Sequence, residues 1–289
     1  MILCQIVIEN RQNANYCKIF EHLKCFSPIV KAMQARLVAG SFQEFIKALN
    51  VHNLTGGSDE ITIETTPNGL EYKFVDSAHI VMIHCKLQAF ESYSGKETTR
   101  YCYDIPKMEQ ILKLARPDQQ IDFGIYNRND RNRARFIIDN LYRECDITMA
   151  NAWPKMPNIN LPNYVVVSVE ELRRACKAAS SISDHIAIRC EENSFLIKAE
   201  GETDEVTVDF SSEYLKQIKC VDSPVKSAYS LEYVTSLIDG IPKSTADVKL
   251  SFGSEQPIRL EYELSKVKIG DRQSSGNVTC LLAPRVEGY

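Results

Sequence analysis

Lysine and arginine recur at helical spacing on the polar sides of three amphipathic segments. In 41–50, Phe42, Phe45, Ile46 and Leu49 form the apolar stripe, and Gln43, Lys47 and Asn50 lie outside it. In 105–116, Ile105, Met108, Leu112 and Ala115 face inward, with Lys113 and Arg116 on the wet side. In 168–179, Val169, Leu172, Cys176 and Ala179 repeat at core spacing, and Arg173, Arg174 and Lys177 gather opposite. Such faces attract phosphates through a sequence-independent, salt-sensitive interaction. One cationic face is ordinarily a solvated surface. Three of them, in a chain whose net charge is −4, point to a local polyanion contact and exclude a wholly basic nucleic-acid binder. The fourth amphipathic segment breaks the pattern. Leu231, Val234, Leu237 and Ile241 turn inward, but Glu232, Thr235 and Asp239 lie outside.

No second chemistry competes. The chain contains no H-E-x-x-H, no G-x-x-x-x-G-K-[ST], no G-x-S-x-G and no G-x-G-x-x-G. His84 and Cys85 are adjacent, but strand neighbours point to opposite faces, which argues against a nucleophile–base pair. The five histidines lack ligand spacing and the carboxylates are dispersed. No catalytic residue, metal or cofactor is therefore expected, and the chain reads as a non-enzyme. Ten cysteines include no C-x-x-C pair and read as buried thiols of a reducing compartment. The 44% apolar and 25% charged composition is that of a soluble globular protein, and no run approaches the roughly 18 apolar residues of a membrane span.

The elements that must position these faces occur twice. "ARLVAG" runs into "SFQEFIKAL", and "NYVVV" runs into "SVEELRRACKAA". Ser41 with Glu44, and Ser168 with Glu171, each read as a capping box opening a helix after a strand. "GLEYKFVDSAHIVMIHCKL" parallels "SFLIKAEGETDEVTVDF", and "YDIPKMEQILKLARP" parallels "YSLEYVTSLIDGIPKS". Each half reads β-α-β-β-β-α-β-β-β. The predicted fold class is α+β, built from two topologically similar domains. The boundaries are an N-terminal extension over 1–32, a first domain over 33–149, a connector over 150–163 and a second domain over 164–289. The extension carries three cysteines and no glycine, and reads either as an upstream mis-start or as an appended segment with Tyr16, Ile19, Phe20 and Leu23 at helical spacing. The connector, "ANAWPKMPNINLPN", has three prolines and should be extended and outside both sheets. Its Trp153, Met156, Ile159 and Leu161 are unusual for a spacer and either dock a partner or tuck onto the sheet below.

The chain resembles DNA sliding clamps of the proliferating cell nuclear antigen type, nearer the archaeal than the eukaryotic branch. The residues carrying the likeness are "ARLVAGS", "GLEYKFVDSAHIVMI" with its Asp76-Ser77-Ala78-His79 turn, "YDIPKMEQILKLA", "PNINLP", "ELRRACKAASSISD", "IRLEYEL" and "LLAPRVE", spanning about 33–289. The resemblance implies a ring, a homotrimer in most cases, with sheets outside and four helices per subunit lining a hole around duplex DNA. It implies a processivity factor that tethers DNA polymerase and other replication and repair factors, loaded by a clamp loader. It places the protein in the cytoplasm at the nucleoid of an archaeon, or in the nucleus of a eukaryote. Lys113, Arg174 and Lys177 match family positions facing the DNA; Lys47 and Arg173 join them from helix periodicity.

By the same resemblance, partners insert a short apolar and aromatic peptide into a pocket formed here by Val75, His79, Ile80, Met156, Ile159, Leu161, Pro257, Leu281, Ala283 and Pro284. The strand ending the chain, 278–282, would supply both core and dock, Leu281 and Leu282 pointing opposite ways. Ring closure would pair edge strands, with Tyr142, Arg143, Cys145 and Ile147 of one copy meeting Val206, Val208 and Phe210 of the next. The departures are Gln110 where relatives carry a cation, the acid-leaning fourth helix, and the basic hairpin "NRNDRNRAR", 127–135, which reads as a second contact for DNA or the loader. The alternative reading is a clamp-related subunit of a hetero-oligomeric or checkpoint-type ring.

Overall fold

The computed structural model describes residues 30–49, 60–76, 78–95, 98–150, 153–210, 214–221, 223–269 and 271–285. The extension ahead of Val30, with Tyr16, Ile19, Phe20 and Leu23, lies outside the described residues, as does Ser77. The first half contains β1 (Val30–Val38), α1 (Ala39–Leu49), β2 (Glu60–Thr66), β3 (Gly69–Val75), β4 (Val81–Gln88), β5 (Phe90–Gly95), β6 (Thr99–Asp104), α2 (Ile105–Leu112), β7 (Gln120–Arg128), β8 (Arg131–Ile138) and β9 (Leu141–Met149). The second contains β10 (Asn163–Ser168), α3 (Val169–Ala179), β11 (His185–Glu191), β12 (Ser194–Glu200), β13 (Glu205–Phe210), β14 (Leu215–Lys219), β15 (Val225–Ser230), α4 (Leu231–Asp239), β16 (Asp247–Phe252) and β17 (Ile258–Glu263). A small lobe, β18 (Lys268–Ile269) and β19 (Arg272–Gln273), then precedes β20 (Ser275–Leu282).

Among the described residues five strands separate the helices in each half, where the sequence predicts three. The strands without a counterpart in the sequence reading include β5, "FESYSG", and β14, "LKQIK". Both are short and polar because they are edge strands, pairing only with β1 and β10 respectively. The main sheet runs β14-β10-β16-β17-β20-β4-β3-β2-β6-β9-β8-β7-β1-β5, and β13-β12-β11-β15 forms a separate sheet. The join between β6 and β9 is a corner of two residue pairs, Tyr101 with Met149 and Cys102 with Thr148. The join between β20 and β4 is continuous, from Ser275 opposite Gln88 to Leu282 opposite Val81, and it fuses the halves. Inward-facing residues of both halves build one core, with Phe42, Phe123 and Phe136 at its first-half centre and Phe195, Phe210 and Phe252 in the second.

The predicted capping boxes are corrected. Helix α1 begins at Ala39, ahead of Ser41, because Ala39 N and Gly40 N donate to Gln119 O and Pro117 O, each at 2.8 Å. Val169 N donates likewise to Ala246 O at 2.9 Å, and the Ser168 side chain makes no capping bond. Loop carbonyls thus take the first amides of each helix; the Ser168 hydroxyl, whose targets would be the amides two or three residues on, takes none. A Cβ at Gly40 would meet Pro117 O at 2.9 Å, so the close approach requires glycine there. Ser41 is instead buried and lies 3.4 Å from Ser274 Oγ. Glu44 crosses to the other half, accepting from Ser265 N and Ser265 Oγ at 2.7 Å and from Ser244 Oγ at 2.8 Å.

A matched pair of side chains ties the helices together. Gln43, the fifth residue of α1, donates through Nε2 to Leu112 O and Ala115 O, at 2.8 and 2.9 Å. Arg173, the fifth residue of α3, donates through Nη2 to Ile238 O and Ile241 O, at 3.2 and 2.7 Å. In both halves the acceptors are carbonyls at or just past the end of the second helix; Leu112 O and Ile238 O also accept from Ala115 N and Ile241 N, each at 3.1 Å. Replacing Gln43 with Ala removes both side-chain bonds, while Leu112 O keeps its bond from Ala115 N, a net cost of about 1 kcal/mol. Urea unfolding should shift to a lower midpoint with an unchanged slope; an unaltered midpoint would refute the role given to Gln43.

Candidate DNA face, partner dock and subunit edges

The cations expected on the helix faces divide into two groups. Lys113 and Arg174 are well exposed, with side-chain exposures of 75% and 66%. Each is paired along its own helix, Lys113 with Glu109 at 3.3 Å and Arg174 with Glu171 at 2.7 Å. Lys177 is exposed and Lys47 half-buried. Arg173 is corrected: its guanidinium is half-buried and committed to the α4 carbonyls, so it holds helices together rather than facing outward. Exposed Glu232 and Asp239 keep the α4 face acid-leaning. Such faces can bind a polyanion only weakly, because exposed ion pairs are screened and partly self-neutralised.

The basic hairpin is less available than its composition implies. Asn129 and Asp130 turn the chain at φ 52° and 59°, a two-residue turn matched to strand twist. Arg133 pairs with Glu144 at 3.3 Å and Asp146 at 2.9 Å, and Arg135 pairs with Glu144 at 2.7 Å. Arg135 also lies over Tyr126 and Tyr142, at 4.2 and 5.0 Å from the ring centres. Burial raises the Glu144 carboxyl, but hydrogen bonds from Tyr142 and Arg135 outweigh it and hold the group below the usual carboxylate range. Arg131 remains exposed at the turn.

Several residues assigned to the dock adjoin the strand β20: Val75 leads through Met82 to Leu281 across the sheet, and Ile80 meets Ala283. Asp76, 3% exposed, organises the turn after β3: its Oδ1 accepts from Val81 N at 2.8 Å and its carbonyl from His79 N at 3.0 Å. His79 takes φ 58° there. Ala283 N donates to Ile80 O at 2.8 Å, placing the turn beside the chain end. Val75, Ile80, Met156, Ile159, Leu161, Pro257, Ala283 and Pro284 are half-buried and His79 is exposed. Leu282 joins the main core, whereas Leu281, 4% exposed, is buried outside that cluster, as expected of strand neighbours. Clefts of about 300 and 670 Å³ lie elsewhere, beside Phe90 and Tyr93 and between β16 and β17.

The connector tucks onto the sheet. Lys73 Nζ and Arg100 Cζ each lie 5.1 Å from the Trp153 ring centre, and Arg259 donates to the Ile159 carbonyl. Asn163, assigned to the connector, is the buried first residue of β10 and receives a bond from Val221 N at 2.7 Å. The segment after β20 is latched as well: Arg285 N donates to Ala228 O at 2.7 Å and its guanidinium pairs with Asp184 at 2.8 Å. No sequence pattern signals this latch, since Asp184 lies in a loop distant in sequence.

The residues assigned to the subunit edges lie on β9 and β13. Tyr142 and Arg143 are exposed, Cys145, Val206 and Val208 half-buried, and Ile147 and Phe210 buried in their own core. Along β9 one side is occupied by β8, and the other is paired only at Thr148 and Met149. Among the described residues, strand β13 pairs only with β12.

This architecture has close counterparts. Residues 155–272 match the family model "Proliferating cell nuclear antigen, C-terminal domain". The DNA polymerase sliding clamp of Methanosarcina acetivorans is 30% identical over 234 residues, covering 79% of this chain and 90% of that protein. The chain belongs to the DNA polymerase sliding clamp family. The clamp of Pyrococcus furiosus is likewise 30% identical, over 237 residues, with 79% and 90% covered. Among solved structures, the A. fulgidus PCNA bound to the C-terminal region of FEN-1 aligns with TM-score 0.73 at 20% identity, covering 89% of this chain and all of that one. The PCNA of Thermococcus kodakaraensis gives 0.71 at 22% identity, with 88% and 100% covered. The clamp fold, α+β with four helices, is therefore that of this chain. Among the described residues, no helix is long and apolar enough to cross a membrane.

The latch carries a pH signature. Hydrogen bonds from His185 and Arg285 hold the Asp184 carboxyl down to about 2. A depressed folded-state value means that the latch stabilises above the ordinary carboxylate range, near 4, and that this contribution is lost as pH falls toward 2. In Arg285→Ala, the Asp184 titration followed by carboxyl 13C NMR should move up toward the ordinary range; an unmoved titration would exclude the contact in solution.

Proposed function

We propose that this chain is the subunit of a non-catalytic ring that encircles duplex DNA and tethers DNA polymerase and other replication and repair proteins to it. It acts at the chromosome, in the cytoplasm of an archaeon or the nucleus of a eukaryote. The reading treats 33–149 and 164–289 as the repeated domains and 150–163 as their connector.

The observation that carries the reading is the sheet order. Across the β20–β4 join the strands run β14-β10-β16-β17-β20, then β4-β3-β2-β6, a five-strand block of the second half joined to a four-strand block of the first. The first half's own five-strand block, β5-β1-β7-β8-β9, ends at the largely free side of β9. The second half's four-strand block, β13-β12-β11-β15, ends at the free side of β13. Adding β13 of another copy to β9 repeats the internal junction with the same strand order. The contact is head-to-tail, and such contacts close when the rotation allows.

Equivalence of the halves supplies the register. Phe123 pairs with Ala35, four residues ahead of α1, and Leu250 with Val165, four ahead of α3. From these, Phe136 and Leu260 correspond, and so do their partners Arg143 and Cys280. Similarly Cys85 and Val208 correspond, through Tyr72 and Ile197. Cys280 faces Ile83 within the chain, so Arg143 should face Val206 of the next copy. Directly opposed strand residues lie about 4.5–5.5 Å apart at Cα, within disulfide reach. The double variant Arg143→Cys, Val206→Cys should oxidise to a covalently closed multimer, three subunits in the homotrimeric reading. A chain that stays monomeric, linking only after mixing with a different clamp subunit, would favour the hetero-oligomeric alternative, for which the acidic α4 face is the one structural argument.

Lys113, Arg174 and Lys177, with half-buried Lys47 behind them, are the proposed DNA-facing cations. Contact with phosphate would replace the ion pairs to Glu109 and Glu171. Changing Lys113, Arg174 and Lys177 to Ala should reduce the slope of log affinity against log salt by roughly 2–3 on duplex DNA. An unchanged slope would mean that DNA lies elsewhere, for example against Arg131 of the basic hairpin. Partner proteins dock through short peptides on the surface around Ile80, Met156, Ile159 and Pro284, where an apolar anchor finds half-buried apolar walls.

A further inference from the structure

Trp153 is the only tryptophan of the chain, and it opens the described part of the connector. Its indole has two cations at the same distance, Lys73 Nζ and Arg100 Cζ, each 5.1 Å from the ring centre. Neither cation is loose. Lys73 is held by Glu71 at 3.2 Å, and Glu71 is held in turn by His84 Nε2 at 2.8 Å. Arg100 donates through Nε to Glu64 at 2.6 Å. These residues stand on β2, β3, β4 and β6, neighbouring strands of one sheet. The sheet therefore presents a fixed cationic cradle, and the indole seats in it. A cation over an indole is a directional attraction, strongest for tryptophan among the aromatic residues.

From Trp153 to Leu161 the chain has no regular secondary structure, so no ladder of hydrogen bonds holds it. Its described attachments to the sheet include the indole at one end and the bond from Arg259 to the Ile159 carbonyl further along. Met156 and Ile159 lie between or at these anchors, and both are walls of the proposed dock. We infer that Trp153 is a positioning residue: clasped by Lys73 and Arg100, it holds the connector against the sheet and so preforms the wall on which partner peptides dock. The inference rests on the peptide-docking reading above. A peptide binding a wall that is formed only part of the time binds more weakly in proportion to that fraction.

The test uses the full chain and a synthetic peptide of the FEN-1 C-terminal region, the segment seen bound to the A. fulgidus clamp. Peptide affinity is measured by calorimetry, and hydrogen exchange is read over the connector amides. Trp153→Ala should weaken the peptide about five- to tenfold, the scale of two lost cation–π contacts, and speed connector exchange while β20 and β4 keep their protection. The double variant Lys73→Gln, Arg100→Gln keeps the indole and should reproduce most of both changes. Trp153→Phe should fall between wild type and Ala. In the wild type, acrylamide quenching of the single indole should be low, and the double variant should raise it. Unchanged affinity and connector exchange in both Trp153→Ala and the double variant would overturn the clasp. Faster exchange with unchanged affinity would also overturn it, by separating connector order from docking. If the wild-type chain itself captures no peptide, the docking reading fails, and with it the role assigned to the clasp.

Discussion

An unpaired strand edge is the constraint on which this molecule turns. Backbone N–H and C=O groups at a sheet edge seek partners, and an open edge is a template for another strand. Inside the chain the problem is solved once: β20 lays its full length against β4 and two half-molecules share a sheet. The solution leaves the opposite ends of the same blocks, β9 and β13, in the condition that β20 and β4 would have had alone. Duplication of a unit with one donor edge and one acceptor edge produces this outcome without further information. Everything proposed about assembly, and through assembly about encircling DNA, descends from that geometry.

The helices repeat the same economy with different chemistry. Gln43 and Arg173 occupy one position in two copies of a motif and do one job, supplying donors to the end of the neighbouring helix. A neutral amide and a charged guanidinium are interchangeable there because both present N–H groups to carbonyls. This is why a count of cationic residues on helix faces overstates the field that reaches outward. Two of the exposed charges that remain, Lys113 and Arg174, are tempered by Glu109 and Glu171.

Much of this was legible in the sequence and some was not. Alternating strands, two helices per half and the duplication follow from periodicity, because a face that packs must be apolar wherever it recurs. Strands β5 and β14 were not legible, since edge strands carry polar residues and lose the alternation that marks buried ones. The capping boxes failed because α1 starts two residues ahead of Ser41, where loop carbonyls of Gln119 and Pro117 take its first two amides, and because the Ser168 side chain makes no capping bond to α3. Arg173 looked outward by helical angle, yet a long side chain can fold back to a neighbour that a helical wheel does not show. The Asp76 turn and β20 are neighbours because the β20–β4 ladder ends at Leu282 opposite Val81 and Ala283 N then bonds Ile80 O, a long-range pairing that no local pattern announces. The Asp184–Arg285 latch left no trace, because ion pairs between exposed loops obey no spacing.

The two ends of the repeat differ in one respect. Between β17 and β20 the second half inserts a lobe whose Ser265 and Ser274 reach Glu44 and Ser41 of α1. Between β8 and β9 the first half has only the short turn at Asp139. Hydrogen-bonded rivets therefore reinforce the seam inside each chain, while a seam made by β9 with a neighbouring copy has no such lobe to contribute. In a closed assembly the fracture line is set in advance: stress parts the circle between molecules, and each molecule travels as an unbroken arc.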